Sequence, residues 1–283
     1  MGALEYEPIT ENNNEFIGNI ELDSLCLEAN HILANKSSEV LDKLLTLNGS
    51  SSGARPKIVA LVSDDKQTLI HGNLAKPGYS PWLIKFASSL DNKNIGAEEY
   101  VYSKMAKDAG IEMSETYLFP SKNCVGHFGV KRFDRIGTEK MHIHTACGLL
   151  HANHRTSSIN YDGLLKLTSI LTKDVREVEK MVRLMIFNVK AGNKDDHSKN
   201  FSFMLDRNNN WKMTPAYDLT PSQGINGEQT SMVNGKGTDI TDSDLIKTAA
   251  PLGFSEKKVS AIIEQTDDAL ANYGKYMKEL AIK

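Results

Sequence analysis

The sequence predicts an α+β fold of two lobes, the first rich in strands and the second in helices. Three observations carry this expectation. Between residues 57 and 134, short apolar runs such as "KIVALV", "WLIKF", "TYLFP" and "HFGVKRFD" alternate with turn residues. Past residue 160, apolar positions recur at helical spacing instead. A chain of 283 residues with 40% hydrophobic content can bury a core in one large domain or in two lobes. The expected division sets residues 1–132 against residues 133–283, with a ligand cleft between them.

In chain order, residues 21–47 read as a helix, with Leu41, Leu44 and Leu45 near one stripe. "NGSSSGARP" (Asn48 to Pro56) is a small-residue loop and the clearest backbone break. "KIVALV" reads as a buried strand and "QTLIHG" as its hairpin partner. "WLIKF" (Trp82 to Phe86) is a further strand that sets Lys85 among apolar neighbours. "GAEEYVYSKMAKDAG" reads as a helix with Tyr100, Met105 and Ala109 near one face and Gly110 as its stop. "TYLFP" and "HFGVKRFD" supply two more strands. "YDGLLKLTSIL" and "DVREVEKMVRLMIFNVKAG" are helical. In the latter, Val175, Val178, Met181, Val182, Met185, Ile186 and Val189 form a stripe, with Asp174 as N-cap and Gly192 just past the end. The strand "FSFML", the turn "DRNNN" and the returning strand "WKMTP" follow, and the last quarter is mostly helical.

Composition excludes several classes. The net charge is −3 and the pI about 6.3, which marks neither a basic nucleic-acid binder nor a membrane-surface protein. Cys26, Cys124 and Cys147 form no CxxC pair and read as reduced thiols of a cytoplasmic protein. The acidic N-terminus is no signal peptide, Tyr6 stands where a myristoylation signal carries Ser or Thr, and no run nears the roughly 18 apolar residues of a span. His142, His144, His151 and His154 match no zinc spacing and read as surface or structural. "NGKG" (Asn234 to Gly237) reads as a tight turn without chemistry.

The chemistry concentrates in "NKDDHSKN", where Asp195 and Asn200 form D-x-x-x-x-N, and in "AYDLTP", which carries Asp218. The hairpin between them returns the chain antiparallel, which places residues near 218 beside residues near 200. A carboxylate and an amide oxygen, Asp218 and Asn200, suit Mg²⁺, whose other ligands are waters and substrate phosphates. A separate acid, Asp195, can then accept or orient a hydroxyl proton, which is the division of labour in protein kinases. A kinase also needs a strand lysine on the phosphates, an acid on the next helix to pair with it, and a small-residue loop above them. Lys85, then Glu98 or Glu99, and "GSSSGARPK" meet these needs in kinase order. H-R-D and D-F-G are both absent: Asn193-Lys194-Asp195 and Asp218-Leu219-Thr220 stand there instead. His197 and Lys199 read either as helpers toward the phosphates or as loop braces, and Asp196 as a loop or helix-start acid.

Taken together, "GSSSGARPKIV", "WLIKF", "EEYVYSKMAKDAGI", "VKRFDR", "FNVKAGNKDDHSKNFSFML" and "MTPAYDLTPS" resemble the HipA family of bacterial toxin serine/threonine kinases. The resemblance runs from about Ser50 to Ser222. Only 48 residues precede Gly49 and they look helical, whereas full-length HipA proteins carry a β-rich subdomain there. This is similar to the short HipT kinases, whose missing subdomain is a separate small protein, HipS-like, beside a DNA-binding HipB.

The resemblance implies a kinase-like fold and roles for matching positions. Asp195 would be the catalytic acid, Asn200 and Asp218 the Mg²⁺ ligands, and Lys85, supported by Glu99, the ATP phosphate contact. Lys131, Arg132 and Phe133 would form the hinge that meets adenine. Ser50, with Ser52 as neighbour, falls where the family autophosphorylates to switch itself off. The implied substrate is an aminoacyl-tRNA synthetase, the tryptophanyl rather than the glutamyl enzyme. The rivals are a kinase of lipids or small molecules with the same core logic, and a non-catalytic nucleotide-binding subunit.

Overall fold

Strand β1 (Lys57–Ser63) is buried along six consecutive positions, which is why "KIVALV" reads as a continuous apolar run. The structure is a computed structural model that describes residue 3 and residues 19–35, 55–70, 76–88, 91–153, 159–224 and 226–281. β1 pairs antiparallel with β2 (Leu69–Ile70) on one side and β3 (Tyr79–Lys85) on the other. Helix α2 (Ile95–Asp108) leads from β3 to β4 (Thr116–Phe119), and β5 (His127–Lys131) returns between β3 and β4. The resulting antiparallel sheet has the order β2-β1-β3-β5-β4.

The two faces of this sheet do different work. Ile58, Ala60, Val62, Trp82, Ile84 and Phe86 cluster with Leu22 and Leu25 of helix α1 (Leu22–Asn35), so one face is closed by that helix. Asp23 ties α1 down by accepting from the Ser121 hydroxyl at 2.6 Å and the Lys122 amide at 2.8 Å. Alternation along the strands turns Lys57, Leu83 and Lys85 to the opposite face. The helix expected over residues 21–47 is described only to Asn35. Leu41, Leu44, Leu45 and the Gly/Ser segment through Ala54, with Ser50 and Ser52, lie outside the described residues.

"HFGVKRFD" leaves the sheet at Lys131, earlier than the apolar pattern suggested. A small hairpin follows, β6 (Arg135–Ile136) with β7 (Glu139–Lys140), then β8 (Ile143–Thr145) and the short helix α3 (Ala146–Leu149). His142 packs edge-on to Trp211 at 5.6 Å. The second half is helical: α4 (Tyr161–Thr172), α5 (Val175–Ala191), α6 (Asp242–Ala249), α7 (Glu256–Leu270) and α8 (Tyr273–Ala281). β9 (Ser202–Leu205) and β10 (Trp211–Met213) make the expected hairpin, and β8 joins β9 as a third strand.

The core of this half draws on α4, α5 and α7 together with Val101, Met105 and Ala106 of α2. α2 is therefore shared between the two halves, and Tyr100, on its flank, is only half-buried. In α5, Val178, Met181, Val182, Met185 and Ile186 are buried, but Val175 is 62% exposed. The stripe starts one turn later than its spacing implies, because Val175 is the first residue after the cap. The Asp174 side chain accepts from the Arg176 amide at 2.9 Å, and Gly192 ends the helix at φ 71°.

Candidate active site

Lys85, the last residue of β3, lifts its ammonium off the sheet between two carboxylates from distant elements. Glu99 of α2 and Asp218 each accept from its Nζ. The Lys85 side chain is 12% exposed and Glu99 6%, while Asp218 is open at 44%. Burial opposes the Lys85 charge, but Asp218 and Glu99 outweigh it and hold the ammonium above its ordinary range. Burial likewise works to raise Asp218, and Lys85 overrides it, keeping that carboxyl below its usual value. Of the two candidate acids on α2, Glu98 instead accepts from Asn92 at 3.1 Å. One residue along a helix is a turn of about 100°, so only one of them can face the strand.

A second lysine belongs to this cluster. Lys57 sits directly across from Lys85 in the β1–β3 register and is 9% exposed. Burial and the Lys85 charge lower its pKa, while Asp218 and Glu99 act in the opposite sense. The sequence signal was available: a lysine stands directly ahead of the apolar run Ile58 to Val62. Just upstream, Arg55 forms an ion pair with Asp91 at 3.0 Å, pinning the exit of the small-residue loop to the β3–α2 connection.

The loop after Gly192 carries the remaining residues. Asn193 is buried and donates to the Asp218 carbonyl at 3.0 Å and to Asn188 Oδ1 at 3.1 Å. The Asp195 amide donates to Ser222 Oγ at 2.7 Å, and the Asp195 carbonyl accepts from Asn200 Nδ2 at 2.9 Å. The Asp195 carboxylate itself is 62% exposed, free to meet a ligand. His197 Nε2 stands 4.0 Å from it, and His197 Nδ1 is buried with no hydrogen-bond partner in the structure. Lys199 enters through its backbone, whose carbonyl accepts from the Tyr217 hydroxyl at 2.7 Å. The returning chain thus meets this loop, Tyr217 at Lys199 as the hairpin reading expected, but Asp218 and Ser222 further back, at Asn193 and Asp195, through a parallel bridge between Asn193 and Ser222. Asp218 sits in the left-handed region at φ 55°, a conformation tolerated best by Gly, Asn and Asp.

Asp196 departs from its expected part as a loop acid. It is fully buried, and burial pushes its carboxyl up to about 7 against hydrogen bonds from Gln229, Tyr161 and the Ser231 amide.

At the end of β5, the Lys131 amide donates to the Glu115 carbonyl and the Arg132 amide to the Pro81 carbonyl, each at 2.9 Å. Pro81 has no N–H, so it returns no bond to the Arg132 carbonyl. The Phe133 ring stacks on Tyr217 at 6.1 Å, which links the hinge to the residue before Asp218. The Lys131 side chain is half-exposed and lies 3.8 Å from Glu115.

By donor chemistry, an amide oxygen and a carboxylate are the atoms that a hard divalent cation takes. Asn200 spends its amide nitrogen on Asp195, leaving Oδ1 as the atom to turn to a metal, and the Asp218 carboxylate is already neutralised by a cation, Lys85. Among the described residues no group of three or more His, Cys, Asp or Glu side chains could hold a metal. A cation here would therefore complete its shell with waters and phosphate oxygens, as Mg²⁺ does.

The profile of the HipA-like C-terminal domain family matches residues 49–273. "Putative kinase Y4dM" of Sinorhizobium fredii is 25% identical over 241 residues, covering 78% of this chain and 58% of its own length. A Haemophilus influenzae protein with the same kinase designation is 25% identical over 187 residues, 60% of this chain and 52% of its own. The chain thus spans little more than half the length of these curated relatives. HipA of Shewanella oneidensis MR-1, solved with HipB and its operator DNA, superposes with a TM-score of 0.66 at 17% identity. That match covers 97% of this chain and 66% of the other, and it establishes a shared kinase-like fold.

Proposed function

The chain belongs to the HipA-like C-terminal domain family, and on that premise we propose that it is a protein kinase that transfers the ATP γ-phosphoryl group to a serine or threonine hydroxyl. One observation carries the reading: the Lys85 ammonium is held between Glu99 and Asp218, beside the loop that presents Asp195 and Asn200.

The reaction needs little covalent chemistry from the protein and much positioning. Lys85, aimed by Glu99, meets the phosphates, and Lys57 adds positive charge from the next strand. His197 and Lys199 approach the same phosphates from the loop. Asp195 accepts the hydrogen bond of the incoming hydroxyl and orients it for in-line attack on the γ-phosphorus. The hinge at Lys131 to Phe133 receives the base, with the Arg132 carbonyl as an acceptor for its exocyclic amine. Mg²⁺, held by Asn200 and Asp218, would supply charge neutralisation on the transferring group. The cleft divides residues 1–132 from residues 133–283 in this scheme.

The finer reading follows the family. The kinase is the toxin of a toxin–antitoxin system, nearest the HipT type, and acts in the cytoplasm. Its substrate is an aminoacyl-tRNA synthetase, the tryptophanyl enzyme ahead of the glutamyl, whose modification stalls translation. Phosphorylation of Ser50 or Ser52 in the loop ahead of β1 switches it off. Its partners are a HipB-like DNA-binding antitoxin and a HipS-like small protein. The Shewanella oneidensis HipA, solved with HipB and operator DNA, supports the first of these partners. Among the described residues no helix is long and apolar enough to cross a membrane.

Incubation with γ-labelled ATP and a bacterial lysate tests the reading. Label on a synthetase-sized protein is the expected result. Label confined to small molecules or lipids would point to a different kinase class, and nucleotide binding without transfer even to Ser50 or Ser52 to a non-catalytic subunit. Expression should arrest growth, and arrest that survives both Asp195→Gln and Asp218→Gln overturns the toxin account.

A further inference from the structure

We propose that Asp196 is a positioning residue that fastens the catalytic loop to the segment 227–231, so that Asp195 and Asn200 are held in place by a buried, hydrogen-bonded carboxyl group. The inference rests on the kinase reading above.

Asp195 and Asp196 are neighbours with opposite fates. The Asp195 side chain is 62% exposed, whereas Asp196 is 0% exposed. Asp196 Oδ2 accepts from the Tyr161 hydroxyl at 2.6 Å and Gln229 Nε2 at 2.8 Å, and Oδ1 accepts from the Ser231 amide at 2.9 Å. Its carbonyl accepts from the Ser231 hydroxyl at 2.6 Å. Asn188 donates to the Tyr161 oxygen at 3.0 Å, so the Tyr161 proton is directed at Asp196. Donors from α4 and from the 229–231 segment therefore converge on one carboxylate. Both oxygens receive donors here, an arrangement that an amide, with one donating end, matches only in part.

The contact continues along the loop. Gln229 Nε2 also donates to the Asn193 carbonyl at 2.6 Å, and the Thr230 amide and hydroxyl donate to the Lys194 carbonyl at 3.0 and 2.8 Å. Lys194 Nζ answers with a bond to the Gly227 carbonyl at 2.8 Å. Gly224 lets the chains close up, since a Cβ there would meet the Glu228 carbonyl at 2.3 Å.

A buried carboxylate is costly to desolvate, and a purely structural contact could be made more cheaply by apolar packing. What the carboxylate adds is direction. With its side chain locked inward, Asp196 fixes the backbone from which the exposed Asp195 side chain projects. In many protein kinases the segment after the metal-binding Asp is ordered by phosphorylation and new arginine–phosphate pairs. Here bonds from the segment's own side chains and backbone do that work, which moves any switch away from this segment.

The test uses the full chain with Asp196→Ala, Asp196→Asn and Gln229→Ala. Steady-state kinetics give kcat and the KM for ATP, hydrogen exchange reports the amides of residues 193–200, and thermal melts establish folding. Asp196→Ala should lower kcat about 10- to 100-fold with KM for ATP moved less than about threefold, the signature of lost positioning rather than lost binding. Its loop amides should exchange faster, Gln229→Ala should fall between it and the native protein, and Asp196→Asn should recover part of kcat. If Asp196→Ala does not fold, Gln229→Ala carries the test, because it leaves the carboxylate in place. Folded variants with native exchange in residues 193–200, or with KM rising in step with any loss of kcat, overturn the proposal. A native protein that transfers no phosphate defeats the kinase reading instead, and the exchange data still decide whether Asp196 anchors the loop.

Discussion

Lys85 and Asp218 lie 133 residues apart in the chain and meet as an ion pair, with Glu99 closing the cluster from the other side. This contact joins the strand-rich half to the helical half at the point where chemistry is proposed.

Lys85→Met should be costly to stability as well as to activity. It leaves Glu99, 6% exposed, as a buried carboxylate without its cation, whereas Asp218 is open enough for water to compensate much of its loss. Stripping one partner from a buried pair costs roughly 3–5 kcal/mol in the general case, and solvent access at Asp218 places the expectation at the lower end. Urea unfolding of the two proteins measures it. Lys85→Met with Glu99→Gln should recover part of the loss.

Asp196 makes a signed pH prediction. Burial raises its carboxyl from 3.8 to about 7 in the folded state. Between these values the unfolded chain releases the proton and the folded chain keeps it. The stability this group contributes is complete below about pH 4 and is lost as pH rises through about 7. The native protein should therefore lose stability relative to Asp196→Asn between pH 5 and pH 8. Paired melts across that range read the difference, and parallel curves contradict the assignment.

The order of Lys85, the helix acid, Asp195, Asn200 and Asp218 was legible because each sits at a motif position and a hairpin joins the last two. Spacing alone offered both Glu98 and Glu99; the expectation settled on Glu99, and it is Glu99 that accepts from Lys85. Asp196 could not be read: its burial comes from Tyr161, Gln229 and Ser231, 33 to 35 residues away. Lys57 was missed because a lysine at the head of an apolar run marks the position but not its partner, and the pairing with Lys85 depends on strand register. Periodicity located the main helices and strands. It misjudged Val175, whose place at the start of α5 turns it to solvent, and it gave no hint of the small β6–β7 hairpin.

Asp174→Ala offers a control away from the cleft. It removes the α5 cap, so stability should fall by about 1 kcal/mol. Because α5 leads into the loop from its far end, kcat and KM for ATP should stay near native. A large kinetic effect would show that α5 transmits strain to Asn193.

Phe133→Ala should raise the KM for ATP about tenfold, on the order of 1.4 kcal/mol of lost ground-state binding, with kcat little changed. The Phe133 ring stacks on Tyr217, and in the proposed scheme residues 131–133 meet the base rather than the phosphates. A fall in kcat alone would place that ring in the chemical step instead.

The most direct measurement of the central claim is single-turnover transfer of labelled γ-phosphate from ATP to protein, by the native chain and by Asp195→Asn, with ATP affinity measured alongside. Transfer by the native chain, a fall of at least about 10³-fold in Asp195→Asn, and ATP affinity within about threefold of native are predicted. Transfer that persists in Asp195→Asn at near the native rate would contradict the account.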